Sequence, residues 1–284
     1  MTPRALQVDV GEGTTVGVLQ WDSDPLAPPV VLLHPNGFCA GVFAPLAERL
    51  RHRYAVHAVD LRGHGSSFAP TPHPSNYGYL QLAGDVLQAL DRLGVHEPLV
   101  VGQSLGGAVA VLSDALRPGW ARRIVLCEAA AYQARTGTSS NPLADQARRR
   151  RAEWPSRAVM LEAYASRPTL AELAPEALRA YIEHGTRITE RATVELRCQP
   201  EVEAVLFELA ATHMGGAAAL AHLSETTSPV TVLAGADSFL PAEFFRCQAS
   251  AAGVDLRVVS GGHFFLQSDA DAAARLLSAE FEQR

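Results

Sequence analysis

A serine between two glycines is the first feature of the sequence that could do chemistry. Gly102-Gln103-Ser104-Leu105-Gly106 has the pattern G-x-S-x-G, follows a run of valines and precedes a stretch with helical character. A strand, this turn and a helix together hold a serine on a sharp corner, where small neighbours let strand and helix approach closely. The pattern predicts a nucleophile at Ser104. The alternative is a serine that only caps the following helix.

A serine hydroxyl needs a histidine to take its proton and a carboxylate to orient that histidine. His263 follows the last apolar run and two glycines and is the predicted base, although His34 and His64 also lie near strand ends. Asp237 and Glu128 each follow a predicted strand and compete as the carboxylate. The order Ser, Asp, His through successive strand ends favours Asp237. Glu128 remains the alternative acid.

The negative charge that develops on an attacked carbonyl oxygen needs backbone N–H donors. Leu105, at the start of the helix after the serine, is one predicted donor. The loop HPNGF, which follows PVVLLH, should provide the second. Pro35 has no N–H, so Asn36 is the first choice and Gly37 or Phe38 the next. The same loop also fits an ordinary Asn-Gly turn without a catalytic role.

Strands and helices alternate around these residues. Six short apolar runs bounded by turn formers are typical of buried strands, and LQVDVG and TTVGVLQW fit an antiparallel hairpin at a sheet edge. VFAPLAERLRHR and YLQLAGDVLQALDRLG have apolar residues at helical spacing. The pattern predicts an α/β fold with a mostly parallel, doubly wound, eight-stranded sheet.

The alternation stops between residues 132 and 224, which is far longer than an ordinary connection. SRAVMLEAYASR, PEALRAYIEHG and EVEAVLFELAATH there each have the pattern of a helix. We therefore expect a core domain at 1–131 and 225–284 and an inserted, purely helical cap at 132–224. Trp154, Tyr164 and Phe207 could line a pocket or form the core of the cap. The basic run 148–151 is expected on a solvated helix face, with guidance of an anionic substrate as the alternative.

Composition excludes several classes of function. The net charge of -6 disfavours binding to nucleic acid, and no apolar run reaches the ~18 residues that a membrane span requires. The four cysteines are far apart and the histidines form no H-E-x-x-H pair, so we expect reduced thiols and neither metal nor cofactor. These features predict a cytoplasmic protein with a small-molecule substrate, and they leave a homodimer open.

Taken together, HPNGF, DLRGHGSS, GQSLGG, GADSFLP and GGHF resemble the motifs of the α/β-hydrolase fold superfamily over almost the whole chain. The resemblance implies that Ser104 is the nucleophile, Asp237 the acid and His263 the base, with Asn36 and Leu105 as oxyanion donors.

The chain departs from the usual pattern of this superfamily at two positions. Pro35 stands where a glycine commonly follows the histidine, and Gln103 stands where a histidine is common. The first change affects which amides can point at an oxyanion, and the second is expected to alter packing more than mechanism. A serine at the elbow, where haloalkane dehalogenases and epoxide hydrolases have an aspartate, argues against those two reactions.

The resulting hypothesis is a serine hydrolase that cleaves an ester or lactone of a small, largely apolar molecule through an acyl-enzyme. One alternative keeps the triad for hydrolysis of a carbon–carbon bond or for a tailoring step such as cyclisation of a natural product. Another is a ligand-binding protein that retains the fold with little catalysis.

Overall fold

The computed structural model describes residues 2–11, 13–134 and 141–283 of the chain. Residues 135–140 of the predicted cap therefore lie outside the described residues, as do residues 1, 12 and 284 of the predicted core. The strands are β1 (Arg4–Gly11), β2 (Thr14–Gln20), β3 (Pro29–Leu33), β4 (Ala55–Val59), β5 (Leu99–Gln103), β6 (Arg123–Cys127), β7 (Glu153–Trp154), β8 (Thr186–Ile188), β9 (Val194–Leu196), β10 (Val230–Gly235) and β11 (Leu256–Val259). The α-helices are α1 (Ala44–Leu50), α2 (Tyr79–Arg92), α3 (Leu105–Leu116), α4 (Pro142–Arg148), α5 (Arg157–Ala165), α6 (Pro175–His184), α7 (Pro200–Leu209), α8 (Gly216–His222), α9 (Ala242–Ala252), α10 (Phe265–Ser268) and α11 (Ala270–Phe281).

Eight strands form one sheet in the order β1-β2-β4-β3-β5-β6-β10-β11. All pairs from β4 to β11 are parallel, whereas β1 and β2 form an antiparallel hairpin at one edge. The predicted mostly parallel, eight-stranded sheet and its edge hairpin are confirmed.

Helices cover both faces of the sheet because the central strands are apolar on both sides. In β3, Val31 and Leu33 join the core that includes α2 and α3. Val30 and Leu32, which point the other way, join the core that includes α1 and α11. The fold is therefore doubly wound, as predicted. Because the strands from β4 to β11 are parallel, their carboxyl ends lie at one edge of the sheet.

The chain leaves the sheet after β6 and rejoins it at β10, and helices α4 to α8 lie in between. Ser156 caps α5 by accepting a hydrogen bond of 3.2 Å from the Val159 N–H, and α6 and α7 both begin at the predicted prolines. The expectation of a purely helical insertion is wrong, however, because β7, β9 and β8 form a small antiparallel sheet there. Strands of two or three residues are too short to show a period-2 pattern, and only tertiary pairing defines them.

Among the described residues, no helix has both the length and the apolar character needed to cross a membrane.

Candidate active site

Ser104 occupies the sharp turn between β5, which ends at Gln103, and α3, which begins at Leu105. Its backbone has φ 51° and ψ −117°, a conformation that a residue with a side chain rarely adopts. The flanking glycines make the turn sterically feasible: a Cβ on Gly106 would lie 2.2 Å from the Leu33 carbonyl oxygen, and one on Gly102 would lie 2.6 Å from the Gly106 oxygen. The Ser104 side chain makes no capping hydrogen bond to α3, so the structure does not support a role limited to helix capping.

His263 lies in the loop after β11, and its ring is paired with Glu128. Nδ1 of His263 is 2.8 Å from Oε2 of Glu128, a fully buried side chain directly after β6. The carboxylate also accepts hydrogen bonds from the Gly235 N–H at 2.7 Å and from the Ser238 hydroxyl at 2.6 Å. A carboxylate only accepts, so Nδ1 carries the proton and Nε2 is left as the basic nitrogen.

This pairing corrects the expectation from the sequence, which favoured Asp237 over Glu128 as the carboxylate beside His263. Asp237 is exposed, and its backbone N–H donates to the Gly261 carbonyl at 2.9 Å. The position next to the imidazole at the end of β10 is already filled by Glu128, which reaches across from the neighbouring strand to the Gly235 N–H. Strand order in the sequence indicates which acids lie at this edge, but side-chain direction decides which one meets the histidine.

Two adjacent cavities share part of their lining, and the shared residues are Asn36, Ser104, Tyr132, Leu143, Phe207 and Leu240. The first has a volume of about 570 Å³ and is lined mainly by apolar side chains, including Tyr79, Leu220 and Phe244. We call it the apolar arm. The second, of about 380 Å³, is lined by His263, Tyr181 and Phe264 and by the charged residues Arg149, Arg150, Arg167 and Glu203. We call it the cationic arm. Ser104 and His263 thus line one cavity.

The loop after β3 contributes Asn36 to the lining of both arms. The Gly37 N–H donates to Nε2 of His64 at 3.0 Å, and the Phe38 N–H donates to the Pro35 carbonyl at 3.2 Å. Among the described residues, no such acceptor meets the N–H of Asn36 or that of Leu105. Asn36 and Leu105 both line the apolar arm together with Ser104.

Two buried histidines hold this loop in place. His34 Nδ1 donates to the Pro35 carbonyl at 2.8 Å while its Nε2 accepts from the Leu61 N–H at 3.0 Å. His64 Nδ1 donates to the Arg62 carbonyl at 3.0 Å, which leaves Nε2 to accept from Gly37. Burial lowers the pKa of His64 to about 4, and burial together with the proximity of His64 lowers the pKa of His34 well below its usual value. Both rings are therefore neutral at pH 7 and act as structural supports.

Gln103, the residue before the serine, ties the elbow to the histidine loop. Its amide nitrogen donates to the His263 carbonyl oxygen at 2.9 Å, and its amide oxygen accepts from Nε2 of Gln267 at 2.6 Å. From the sequence, we expect that glutamine at position 103, where a histidine is common, alters packing more than mechanism. The structure adds a specific consequence, because this buried amide fixes the backbone of His263 relative to Ser104.

The three aromatic residues singled out in the insertion have different places. Phe207 lines both arms. Trp154 and Tyr164 are buried and pack edge to face with ring centroids 5.5 Å apart, so they belong to the core of the insertion. None of the described residues forms a cluster of three or more potential metal ligands, and all four cysteines are free thiols.

Comparison with known proteins identifies the family to which this fold belongs. The model of the alpha/beta hydrolase family matches residues 30–276. The solved structure of E-2-(acetamidomethylene)succinate hydrolase superposes with a TM-score of 0.81 at 20% identity, covering 99% of this chain and all of that one. The thioesterase domain from the curacin biosynthetic pathway superposes with a TM-score of 0.78 at 19% identity, covering 98% of this chain and all of that domain. At these identities the likeness shows a shared fold.

Two curated relatives are similar over shorter stretches. A pimeloyl-[acyl-carrier protein] methyl ester esterase of Chromobacterium violaceum is 40% identical over 102 residues, which are 35% of this chain and 36% of the relative. A 2-(acetamidomethylene)succinate hydrolase of Mesorhizobium japonicum is 32% identical over 126 residues, which are 44% and 43% of the two chains. The similarity thus spans less than half the length of either relative. The family model, by contrast, covers most of the sequence, and the chain belongs to the alpha/beta hydrolase family.

Proposed function

We propose that this protein is a serine hydrolase that cleaves an ester or lactone of a small, largely apolar molecule through an acyl-enzyme on Ser104. The observation that carries the proposal is the strained Ser104 elbow in the same cavity as His263, whose Nδ1 is held by a buried carboxylate. Backbone strain of this kind costs about 1–3 kcal/mol and persists where surrounding structure enforces it, commonly at active sites.

In the proposed first half-reaction, Oγ of Ser104 attacks the carbonyl carbon while Nε2 of His263 takes the hydroxyl proton. Glu128 keeps the second proton of the imidazole on Nδ1 and stabilises the imidazolium that forms. The N–H groups of Asn36 and Leu105 bind the oxyanion. The tetrahedral intermediate then collapses, the bond between the acyl carbon and the leaving oxygen breaks, and Nε2 returns the proton to that oxygen.

In the second half-reaction, a water molecule attacks the acyl-enzyme and gives its proton to Nε2 of His263. The same oxyanion donors serve again, and collapse releases the carboxylic acid with return of the proton to Ser104. The lining of the apolar arm supports an acyl group of low polarity, and 570 Å³ is within the usual size of small-molecule sites.

The names of the relatives support hydrolysis, and in one case ester hydrolysis, as the reaction class. One relative is named as a methyl ester esterase and another as a hydrolase of an acetamidomethylene succinate. Their matches cover about two fifths of their length or less, so the substrate of this chain is inferred from its own cavities.

The test is turnover of p-nitrophenyl esters of increasing acyl length by the wild type and by Ser104→Ala. We expect kcat to fall at least about 10³-fold in the variant, because the acyl-enzyme can no longer form. Ser250→Ala, which removes an exposed hydroxyl on α9, is the matched control and should leave kcat unchanged.

A fluorophosphonate probe followed by intact-mass analysis separates the remaining outcomes. Labelling of the wild type but not of Ser104→Ala, with ester turnover, supports the proposal. Labelling without turnover of any ester would point to the carbon–carbon or tailoring chemistry that the same triad can perform. Retained ester turnover in Ser104→Ala would rule out the acyl-enzyme.

A further inference from the structure

The two arms that meet at Ser104 differ sharply in charge. The apolar arm has a single charged residue, Glu243, among the described residues that line it. The described residues that line the cationic arm include three arginines and one glutamate, an excess of two positive charges. The chain as a whole has a net charge of -6, so this is a local concentration of positive charge on an acidic protein. A substrate that spans Ser104 therefore meets two chemically different environments.

One of the three arginines already has internal partners. Arg150 forms an ion pair with Glu203, and its other guanidinium nitrogen donates to the hydroxyls of Tyr164 at 3.0 Å and Tyr181 at 2.8 Å. Tyr181 in turn donates to the Gly37 carbonyl at 2.8 Å. This network supports the loop that carries Asn36. Its charges compensate one another, so it contributes little net attraction for a ligand.

The other two arginines have no such compensation. Within the described part of the chain, neither Arg149 nor Arg167 forms an ion pair with a carboxylate, whereas Arg148, the last residue of α4, contacts both Glu201 and Glu208. The Arg167 guanidinium lies over the Tyr164 ring, 4.8 Å from its centroid, and this half-buried stacked position restricts its orientation. Arg149, which is exposed, and Arg167, which is half-buried, both line this cavity without an ion-pair partner among the described residues. Guanidinium groups in this position are suited to bind a carboxylate or phosphate.

The position of His263 indicates which part of a substrate enters this arm. His263 lines the cationic arm but is absent from the lining of the apolar arm. In the proposed mechanism the imidazolium must reach the leaving oxygen to protonate it. The leaving group therefore departs on the side of the cationic arm, and the acyl chain occupies the apolar arm.

We infer that the substrate is an ester of an apolar acyl group with an anionic leaving group, which bears a carboxylate or a phosphate bound by Arg167 and Arg149. This inference rests on the proposed function and specifies its substrate class. The reaction consumes water, breaks the bond between the acyl carbon and the leaving oxygen, and releases an apolar carboxylic acid and an anionic alcohol. The basic run that the sequence assigned to a solvated helix face thus extends past the end of α4 into the site.

The experiment compares three esters that share one acyl chain: phenyl octanoate, para-carboxyphenyl octanoate and para-(phosphonooxy)phenyl octanoate. For each enzyme, kcat/KM of an anionic ester is divided by kcat/KM of phenyl octanoate, so that intrinsic reactivity cancels between enzymes. We expect this ratio to fall about tenfold in Arg167→Gln and further in Arg149→Gln/Arg167→Gln, since a charged hydrogen-bonding partner is lost. The larger fall identifies the preferred anion as carboxylate or phosphate. Arg191→Gln, the same charge change on the surface of the insertion, should leave the ratio unchanged.

Binding measured by calorimetry provides a readout that does not depend on turnover. In a Ser104→Ala background the anionic esters should bind more tightly than phenyl octanoate, and Arg167→Gln should abolish most of that preference. Equal ratios in wild type and the arginine variants, or equal loss in Arg191→Gln, would overturn the inference. If Ser104-dependent cleavage of phenyl octanoate is seen but the ratios are unchanged, the inference about the anionic leaving group is overturned and the proposed function stands. Absence of all ester cleavage would count against the proposed function itself.

Discussion

Replacement of Glu128 by glutamine is the most direct test of how this site is assembled. We expect Glu128→Gln to lower kcat for p-nitrophenyl esters about 10⁴-fold, equivalent to about 5.5 kcal/mol of transition-state stabilisation. Asp237→Asn, which changes the acid favoured from the sequence, should alter kcat less than about threefold because that side chain is exposed.

The magnitude follows from the hydrogen bonds around the carboxylate. Oε1 of Glu128 accepts from the Gly235 N–H, and Oε2 faces Nδ1 of His263. A backbone N–H can only donate, so the oxygen of a glutamine would turn toward Gly235 and its NH₂ group toward the imidazole. His263 would then accept at Nδ1 and carry its proton on Nε2. That tautomer cannot take the proton of Ser104, which is the reason to expect a large loss with little change in shape.

The assay is steady-state kinetics on both variants, with thermal unfolding to show that each is folded. Labelling of Ser104 by a fluorophosphonate should slow in parallel with ester turnover in Glu128→Gln, since the same base activates the serine in both reactions. The reasoning would be refuted by a Glu128→Gln enzyme that keeps more than a tenth of wild-type kcat while folded. An Asp237→Asn variant that loses as much as Glu128→Gln would refute it equally.

Two further predictions concern the scaffold that holds the site. Gly106→Ala should lower the free energy of unfolding by about 2–3 kcal/mol, because the new Cβ would lie 2.2 Å from the Leu33 carbonyl oxygen. Gly84→Ala in α2 is the control: its new Cβ would meet nothing closer than 3.9 Å, so the free energy of unfolding should rise by up to about 1 kcal/mol. Urea titration measures both changes. Burial lowers the pKa of His64 to about 4 from 6.5, so the unfolded chain takes up this proton first and the free energy of unfolding should fall by about 3 kcal/mol between pH 6.5 and pH 4. The measurement is urea titration at pH 7.5, 6.5, 5.5 and 4.5. His64→Gln should reduce the loss of stability at low pH, whereas His52→Gln, at an exposed position, should not. Identical pH profiles for the wild type and both variants would contradict the lowered pKa of His64.

The order of strands and helices could be predicted because it depends on local patterns. Apolar runs of five residues, amphipathic stretches and glycines at turns each restrict the backbone within a few residues. The same local rule places Ser104 between β5 and α3, since only small neighbours tolerate the approach of helix to strand. Short strands such as β7 and β8 lack such a pattern, so the sequence does not predict them.

The choice of carboxylate could not be settled in this way. Glu128 and Asp237 both follow strands whose carboxyl ends lie at the same edge of the sheet. The sequence pattern around each residue therefore fits the role of the carboxylate equally well. The direction of the side chain separates them. The backbone of Glu128, with φ 52°, lets its carboxylate reach Gly235 and His263. Asp237 is held in a turn by the hydrogen bond from its N–H to the Gly261 carbonyl, and it faces solvent.

The fold class, the elbow at Ser104 and the set of polar residues at the strand ends could be predicted from the amino-acid sequence, because each depends on patterns among residues close in the chain. The pairing of Glu128 with His263, the acceptor that engages the Gly37 N–H and the place of Arg149 and Arg167 in the cavity lining follow from the folded structure alone. These are contacts between residues far apart in sequence, and their distances and directions depend on how the layers of the fold pack together.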